Sequence, residues 1–198
     1  MNTIITIGRQ FGSGGHVVGE KLAEKLGFAY YDKKLIAMAA EKSGMSHAAL
    51  TEADEKAANP WLYAAMSQTG QTNFGVNIST NDTLFALQSR IIKDIAKSEN
   101  AVIVGRCSDY ILKNEPIELL NVYIYAPTAA RAKRVMEREN ITEQQALQLM
   151  KRQDKQRKCY YDFYTDRKWA SHENYHLTIN SDKFGIEGTV DLIAAALK

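Results

Sequence analysis

The feature that most restricts the fold is a short β-branched run that ends in a glycine-rich loop and continues as a helix. Residues 3–7 are Thr and Ile alone, and four glycines fall among the eight residues 8–15. Apolar side chains then recur at helical spacing, at Val18, Leu22 and Leu26. Such a strand–loop–helix unit directs several backbone N–H groups and the positive end of the helix dipole at one point, which forms an anion site. We therefore predict a phosphate-binding unit here; the alternative is a tight turn with a purely structural role.

Strand and helix patterns continue to alternate along the rest of the chain. Further strands are predicted at 28–31, 101–104, 119–125 and 177–179. Helical patterns fill the intervals and begin near residues 82, 128, 142 and 186. Parallel strands need long crossover connections, usually helices, so this alternation indicates a parallel sheet that is covered on both faces. The expected fold class is therefore α/β, with a five-stranded parallel sheet.

Two segments between these elements are expected to form accessory regions. Residues 36–96 follow the second strand and include a helix predicted over 46–58 and an uncharged, polar stretch over 57–81, which we expect to form a flap. Residues 129–168 carry 11 Lys and Arg against 6 Asp and Glu, an excess of five positive charges in a chain with a net charge of +2. This concentration of positive charge indicates that the second region contacts an anionic ligand.

The loop departs from the standard phosphate-binding sequence G-x-x-x-x-G-K-[S/T]. When residues 12–14 are aligned with the end of that sequence, Gly15 takes the place of the lysine, and His16 stands where a magnesium-binding hydroxyl is expected. Ser13 is the only hydroxyl-bearing residue in the loop. Other cations, such as Arg9 or arginines from elsewhere in the chain, are therefore expected to replace the lysine at the phosphates.

A dinucleotide-binding site of the G-x-G-x-x-G type is the competing interpretation. Residues 12–14 supply its first two glycines, and Asp32 provides an acid about 20 residues later, at the end of the second predicted strand. Val17, however, stands in place of the third glycine. Asp32 could hold a magnesium-bound water, act as general base on an acceptor hydroxyl, or cap the following helix, and the sequence does not choose among these roles.

Four segments of the chain resemble the cytidylate kinase-like family, relatives of the nucleoside monophosphate kinases. The similar segments are 8–15, 30–36, 102–112 and 154–169. The resemblance extends over nearly the whole chain and implies a single P-loop NTPase domain, 1–198, with three α/β/α layers. It also implies that the region 36–96 holds the acceptor and that the region 129–168 is a helical lid. The implied activity is phosphoryl transfer from ATP, with Mg²⁺, to a small acceptor, in the first place a nucleoside monophosphate.

The predicted catalytic residues are Asp32, Arg106 and Arg157. Arg106 belongs to a turn that resembles the family's Gly-Arg-Asp sequence, with Cys107 in place of the aspartate, and residues 154–157 resemble the D-x-x-R of the lid. Asp32 ends the second strand, where the family has an acid near the acceptor. The predicted ligands of the ATP phosphates are loop residues and two lid arginines on one helix face: Gly8, Arg9, Gly12, Ser13, Gly14, Gly15, His16, Arg131 and Arg134.

Composition and spacing exclude several other classes of protein. A net charge of +2 over 198 residues is too small for binding along a nucleic acid or on an anionic membrane surface. Cys107 and Cys159 lack the spacing of a zinc site and provide no disulfide framework, so no metal-ligand set is predicted and a cytoplasmic location is expected. The N-terminal sequence lacks the pattern of a signal peptide, and no apolar run is long enough to span a bilayer.

Some functional alternatives stay open at this point. A nucleotide-binding module without catalysis is one, because the loop lacks both the lysine and the magnesium-binding hydroxyl. A kinase that acts on a small-molecule hydroxyl is another, and a homodimer is compatible with either. Aromatic and basic residues interleave over 157–169, and we expect them to pack a lid helix against the core rather than to bind single-stranded RNA.

Overall fold

The computed structural model describes residues 1–32, Leu35, Met38 and 75–197, with residues 75–81 described by their backbone alone. The helix predicted over 46–58 and most of the flap predicted over 57–81 lie outside the described residues. The described elements follow in the order β1 (Thr3–Arg9), α1 (Gly15–Leu26), β2 (Ala29–Tyr31), α2 (Gly75–Ser98), β3 (Ala101–Val104), α3 (Ser108–Leu112), β4 (Glu118–Tyr125), α4 (Thr128–Glu139), α5 (Glu143–Thr165), β5 (Leu177–Asn180) and α6 (Ser181–Ala195). A short 3₁₀ turn, His172–Asn174, lies between α5 and β5.

The five strands of the described part form one sheet, and each pairs in parallel in the order β2-β3-β1-β4-β5. The central strand is β1, in which Ile5 pairs with Val102 of β3 on one side and with Leu120 of β4 on the other. The predicted α/β fold with a five-stranded parallel sheet is therefore confirmed. In sheets of this kind ligands bind beyond the carboxyl ends of the strands, which is where the glycine loop follows β1.

Helices cover both faces of the sheet. Successive residues of a strand point to opposite faces, so Ile4 joins a core with α2 and α3, whereas Ile5 and Ile7 join a second core with α1 and α6. Each of these three side chains is at most 1% exposed, and burial of such a side chain contributes about 1.5–3 kcal/mol. The two cores produce the predicted three-layer α/β/α arrangement. Within the described residues, no helix has the length and apolar character needed to cross a membrane.

The helices α4 and α5 pack against each other and against the glycine loop. Thr142 begins α5 with a capping box, in which its hydroxyl accepts the Gln145 N–H and the Gln145 side chain accepts the Thr142 N–H. A small apolar core fills the hairpin and contacts Phe11 of the loop; its buried members are Ala132, Val135, Ala146 and Met150. We call α4, α5 and their connection the lid hairpin. Its helical nature agrees with the prediction for residues 129–168.

Two elements differ from the sequence-based expectation. Helix α2 begins at Gly75, seven residues before the predicted cap at Asp82. A favourable cap residue such as Asp82 contributes only about 1 kcal/mol, which is too little to determine where a helix begins. The later turns of α2 are anchored in the core by Leu84 and Ile91, and the helix extends from them past Asp82 towards the N-terminus. Helix α3 was not predicted, because five residues are too few to show a helical period. Helix α6 is interrupted at Gly185, and its regular part begins at the predicted residue, 186.

Candidate active site

The glycine loop connects β1 to α1 in a conformation that other residues rarely adopt. Gly12 and Gly14 have φ values of 79° and 82°, in the left-handed region that favours glycine. A Cβ at Gly12 would also lie 2.8 Å from Cγ2 of Val135 in α4, so the loop and the lid hairpin are in direct contact. Gly14 is the N-cap of α1 and has no side chain that could bond the first-turn N–H groups. These N–H groups are therefore available to an anion at the start of α1.

A cleft of about 1050 Å³ lies between the loop, the residues that follow β2 and β3, and helix α5. The described residues that line it include five arginines and three carboxyl groups: Arg9, Arg106, Arg138, Arg152 and Arg157, with Asp32, Asp109 and Glu139. Burial raises the pKa of Asp109, which disfavours its charged form. The cleft therefore carries an excess of positive charge, and its volume suits a phosphorylated ligand.

A carboxylate of α5 joins the lid hairpin to the glycine loop. Asp154 accepts the Phe11 N–H at 2.7 Å with one oxygen and the Arg131 guanidinium at 2.7 Å with the other. One turn later, Arg157 donates to the carbonyl of Arg9 at 3.1 Å. Burial and the charge of Arg9 lower the pKa of Arg157, and the Asp154 carboxylate, 3.9 Å away, opposes this shift. An anion bound in the cleft would favour the charged form of Arg157 further.

Arg106 is held by a turn of unusual backbone conformation. Gly105, Arg106 and Cys107 have φ values of 78°, 59° and 53°, so three consecutive residues are left-handed and two of them are not glycine. Each such non-glycine residue costs about 1–2 kcal/mol, and conformations of this kind occur often at ligand sites. Burial is the main cause that lowers the pKa of Arg106, and the charge of Arg9 adds to it. The turn therefore keeps a second guanidinium in the same cleft at a cost in backbone energy.

Asp32 follows β2 and faces two cationic or basic side chains. Its carboxylate lies 2.8 Å from Nδ1 of His16 and 3.8 Å from the guanidinium of Arg9, and the residue is 8% exposed. The Tyr30 hydroxyl lies 2.9 Å from the same His16 nitrogen. Burial and the charge of Asp32 raise the pKa of Tyr30, so its hydroxyl keeps its proton. The predicted residues Asp32 and His16 are thus brought together at the start of α1.

The side chains around the loop fit Mg²⁺ only if phosphate oxygens complete its coordination. Mg²⁺ in kinase sites is bound by one or two carboxylates, water and substrate phosphates. Asp32 supplies a carboxylate in the cleft, but the Ser13 hydroxyl is completely buried and donates to the carbonyl of Gln10 at 2.9 Å. The described residues contain no cluster of three or more His, Cys, Asp or Glu side chains that could hold the ion alone.

Three of the predicted phosphate ligands lie behind the loop instead of facing the cleft. Ser13 accepts hydrogen bonds at its carbonyl from Ser181 and from Arg134 at 3.3 Å. Arg131 is 9% exposed and is paired with Asp154. Arg131 and Arg134, which were predicted to converge with Arg157 on the phosphates, are not among the described residues that line the cleft. Their side chains bond the loop carbonyls of Phe11 and Ser13 instead. Gly8, Arg9, Gly12, Gly14, Gly15, His16, Asp32, Arg106 and Arg157 line the cleft.

Aromatic residues that were expected only to pack the lid also form a wall of the cleft. Tyr160, Tyr161 and Trp169 are among its lining residues, and Tyr175, which lies outside the predicted segment, joins them. The Tyr161 hydroxyl donates to Asp109 at 2.6 Å, which ties α5 to α3. The alternation of aromatic and basic residues in this segment was the available signal, and it did not distinguish packing from ligand contact. Asp154 was noted only as part of D-x-x-R, and its bond to the loop could not be read from the sequence.

Comparison with known proteins finds relatives that match nearly the whole chain. A sequence model described as the cytidylate kinase-like family matches residues 4–183. The chain is 27% identical over 197 residues to the cytidylate kinase of Methanococcus vannielii, which covers 98% of this chain and 99% of that protein. It is 28% identical over 198 residues to the cytidylate kinase of Methanobrevibacter smithii, with 98% of each chain covered.

Solved structures show the same fold. An uncharacterized protein from Eubacterium ventriosum superposes with a TM-score of 0.73 at 31% identity, and the match covers 98% of each chain. A shikimate kinase from Bacteroides thetaiotaomicron superposes with a TM-score of 0.55 at 14% identity, again over 98% of each chain, which is a likeness of fold alone. The predicted P-loop kinase class is therefore confirmed, and the chain belongs to the cytidylate kinase-like family.

Proposed function

We propose that this protein transfers the terminal phosphoryl group of ATP, with Mg²⁺, to the phosphate of a nucleoside monophosphate, with CMP as the first candidate. The family and the relatives named cytidylate kinase support the reaction class. The observation that carries the proposal is the convergence of Arg9, Arg106 and Arg157, from three different elements, on the cleft beside the glycine loop. Phosphoryl transfer from ATP to a second phosphate brings several negative charges close together. Catalysis depends on cations that lie close enough to stabilise these charges.

In this proposal each group of residues around the cleft has a separate role. The glycine loop and the start of α1 bind the phosphates of ATP through backbone N–H groups. Arg106 and Arg157 orient the acceptor phosphate and the transferred group by charge-assisted hydrogen bonds. Asp32 would hold Mg²⁺ together with phosphate oxygens, and the ion would supply positive charge that offsets the charge of the phosphates. The lid hairpin, joined to the loop by Asp154, excludes water from the reacting groups.

A second candidate is transfer to a hydroxyl group. It rests on the hydrogen bond between Asp32 and His16, because a carboxylate paired with an imidazole beside the cleft can remove a hydroxyl proton. A phosphate acceptor needs no such base. Five arginines in the lining favour the phosphate acceptor, and the choice of acceptor in an assay separates the two reactions.

The test is the rate of ADP formation from ATP and Mg²⁺ with CMP, dCMP, UMP, AMP or shikimate as acceptor. We expect ADP formation to require both Mg²⁺ and one of the monophosphates. Arg106→Ala and Arg157→Ala should each lower the rate about a hundredfold or more. Lys25→Ala, which removes a half-exposed positive charge in the last turn of α1, away from the loop, should leave the rate unchanged.

Each contrary result has a defined meaning. ADP formation that depends on shikimate but not on a nucleotide would favour the hydroxyl acceptor. Binding of ATP without turnover on any acceptor would identify a binding module without catalysis. Equal rates in the wild type and in both arginine variants would contradict the proposed role of the cleft.

A further inference from the structure

Gly15 takes the position of the lysine in the standard phosphate-binding loop, and the Arg9 side chain leaves no room for a side chain there. A Cβ at Gly15 would lie 2.6 Å from Cβ and 3.1 Å from Cγ of Arg9. Gly15 is buried and does not have a positive φ, so its backbone would accept any side chain. The packing of Arg9 therefore excludes a side chain here, and the backbone conformation does not.

A second glycine confines the other end of the same arginine. A Cβ at Gly105, after β3, would collide with the guanidinium of Arg9. The Arg9 side chain therefore runs between the start of α1 and the end of β3, and its guanidinium lies 3.8 Å from the Asp32 carboxylate. The side chain is 20% exposed and lines the cleft.

The contact with Asp32 does not by itself explain this arrangement. At 3.8 Å the two groups attract each other but are too far apart for a hydrogen bond, and within the described residues the Arg9 guanidinium makes none. A guanidinium carries five N–H donors in a fixed plane, which match the oxygens of a phosphate. Arg9 also contributes to the lowered pKa values of Arg106 and Arg157, so it belongs to the same group of charges.

We propose that Arg9 is the phosphate-binding cation that replaces the lysine of the standard loop, entering from the end of the strand instead of from the start of the helix. Positions 9 and 15 then exclude each other: because the closest contact is between the two Cβ atoms, a side chain fits at one position only when the other is glycine. This inference rests on the proposed function, since it assigns a residue to the phosphates that the reaction uses. The exclusion itself is a property of packing and can be measured without a substrate.

The experiment compares four proteins: the wild type, Arg9→Gly, Gly15→Lys, and the double variant Arg9→Gly/Gly15→Lys. Glycine is used at position 9 because alanine would keep the Cβ that lies 2.6 Å from the Cβ of a side chain at position 15. Three quantities are measured for each: the melting temperature, the Kd for ATP with Mg²⁺ by calorimetry, and the rate of ADP formation. Lys25→Ala serves as the control, because it removes a half-exposed positive charge in the last turn of α1, away from the loop. The double-mutant cycle isolates the coupling between the two positions.

We expect Arg9→Gly to weaken ATP binding at least tenfold and to lower turnover at least a hundredfold. Gly15→Lys alone should lower the melting temperature by several degrees, because its side chain meets Arg9. The double variant should recover most of that loss, and it should bind ATP within about tenfold of the wild type, because the new lysine occupies the space that Arg9 leaves.

The outcomes separate this inference from the proposed function. If the wild type binds no ATP, the proposed function fails, and the melting temperatures still report whether positions 9 and 15 exclude each other. If the wild type binds ATP and Arg9→Gly binds it equally well, the inference is overturned while the proposed function stands. A folded double variant that binds ATP no better than Arg9→Gly would also overturn it.

Discussion

Replacing Asp154 by asparagine should destabilise the protein by about 3 kcal/mol, because one carboxylate serves both the loop and a buried arginine. Asp154 accepts the Phe11 N–H and the Arg131 guanidinium, each at 2.7 Å. Asparagine keeps one acceptor oxygen and turns an NH₂ group toward the other donor. The Arg131 charge would then lack its carboxylate partner, and within the described part of the chain Nε of this side chain is already buried without a hydrogen-bond partner.

The size of the effect follows from the exposure of the pair. Removing one partner of a buried ion pair typically costs 3–5 kcal/mol. The side chains of Arg131 and Asp154 are 11% and 19% exposed, so some contact with water remains and the lower end of that range applies. In a chain of this length about 3 kcal/mol corresponds to a fall in melting temperature of roughly 6–12 °C.

Urea unfolding followed by circular dichroism measures this loss. Asp191→Asn is the matched control, because Asp191 pairs with Lys25 on the surface, where the two side chains are 65% and 50% exposed. The control substitution should lower the free energy of unfolding by less than about 1 kcal/mol. If Asp154→Asn costs no more than this control, the carboxylate does not hold the loop, and the argument that joins the lid hairpin to the loop is refuted.

Three further substitutions test separate parts of the structure. Gly12→Ala should lower the free energy of unfolding, measured with urea, by about 2 kcal/mol, because residue 12 has a φ of 79° and its Cβ would lie 2.8 Å from Val135. An unchanged urea midpoint would refute this. Thr142→Ala removes the capping box with Gln145 and should cost about 1 kcal/mol in the same assay. Burial raises the pKa of Asp109, so the folded state favours the protonated acid and its contribution to stability is lost as the pH rises. Asp109→Asn should therefore gain stability relative to the wild type between pH 4 and pH 7, and an equal difference at both pH values would contradict this.

The sequence predicted those features that depend on residues close together in the chain. The glycine loop, the five strands and the cap at Thr142 each produce a local pattern, and the structure contains them. The family resemblance supplied Arg106 and Arg157, and the structure places both in the cleft. The three consecutive left-handed residues around Arg106 were not predicted, because two of them are residues that rarely adopt this conformation.

Features that depend on contacts between residues far apart in the sequence could not be predicted. Arg131 and Arg134 were correctly expected to share a helix face, but the sequence does not say whether that face meets a ligand or the back of the loop. The bond from Asp154 to Phe11 joins residues 143 positions apart. Gly15 was recognised as a departure from the standard loop, and its cause became visible only when the side chain of Arg9 was placed beside it.

The most direct test of the proposed reaction is ³¹P NMR of one sample that contains the protein, ATP, Mg²⁺ and CMP. Phosphoryl transfer to the acceptor phosphate predicts that the resonances of ADP and CDP grow in equal amounts while those of ATP and CMP decline. A spectrum that does not change, or one in which inorganic phosphate appears in place of CDP, would contradict phosphoryl transfer to CMP by this cleft.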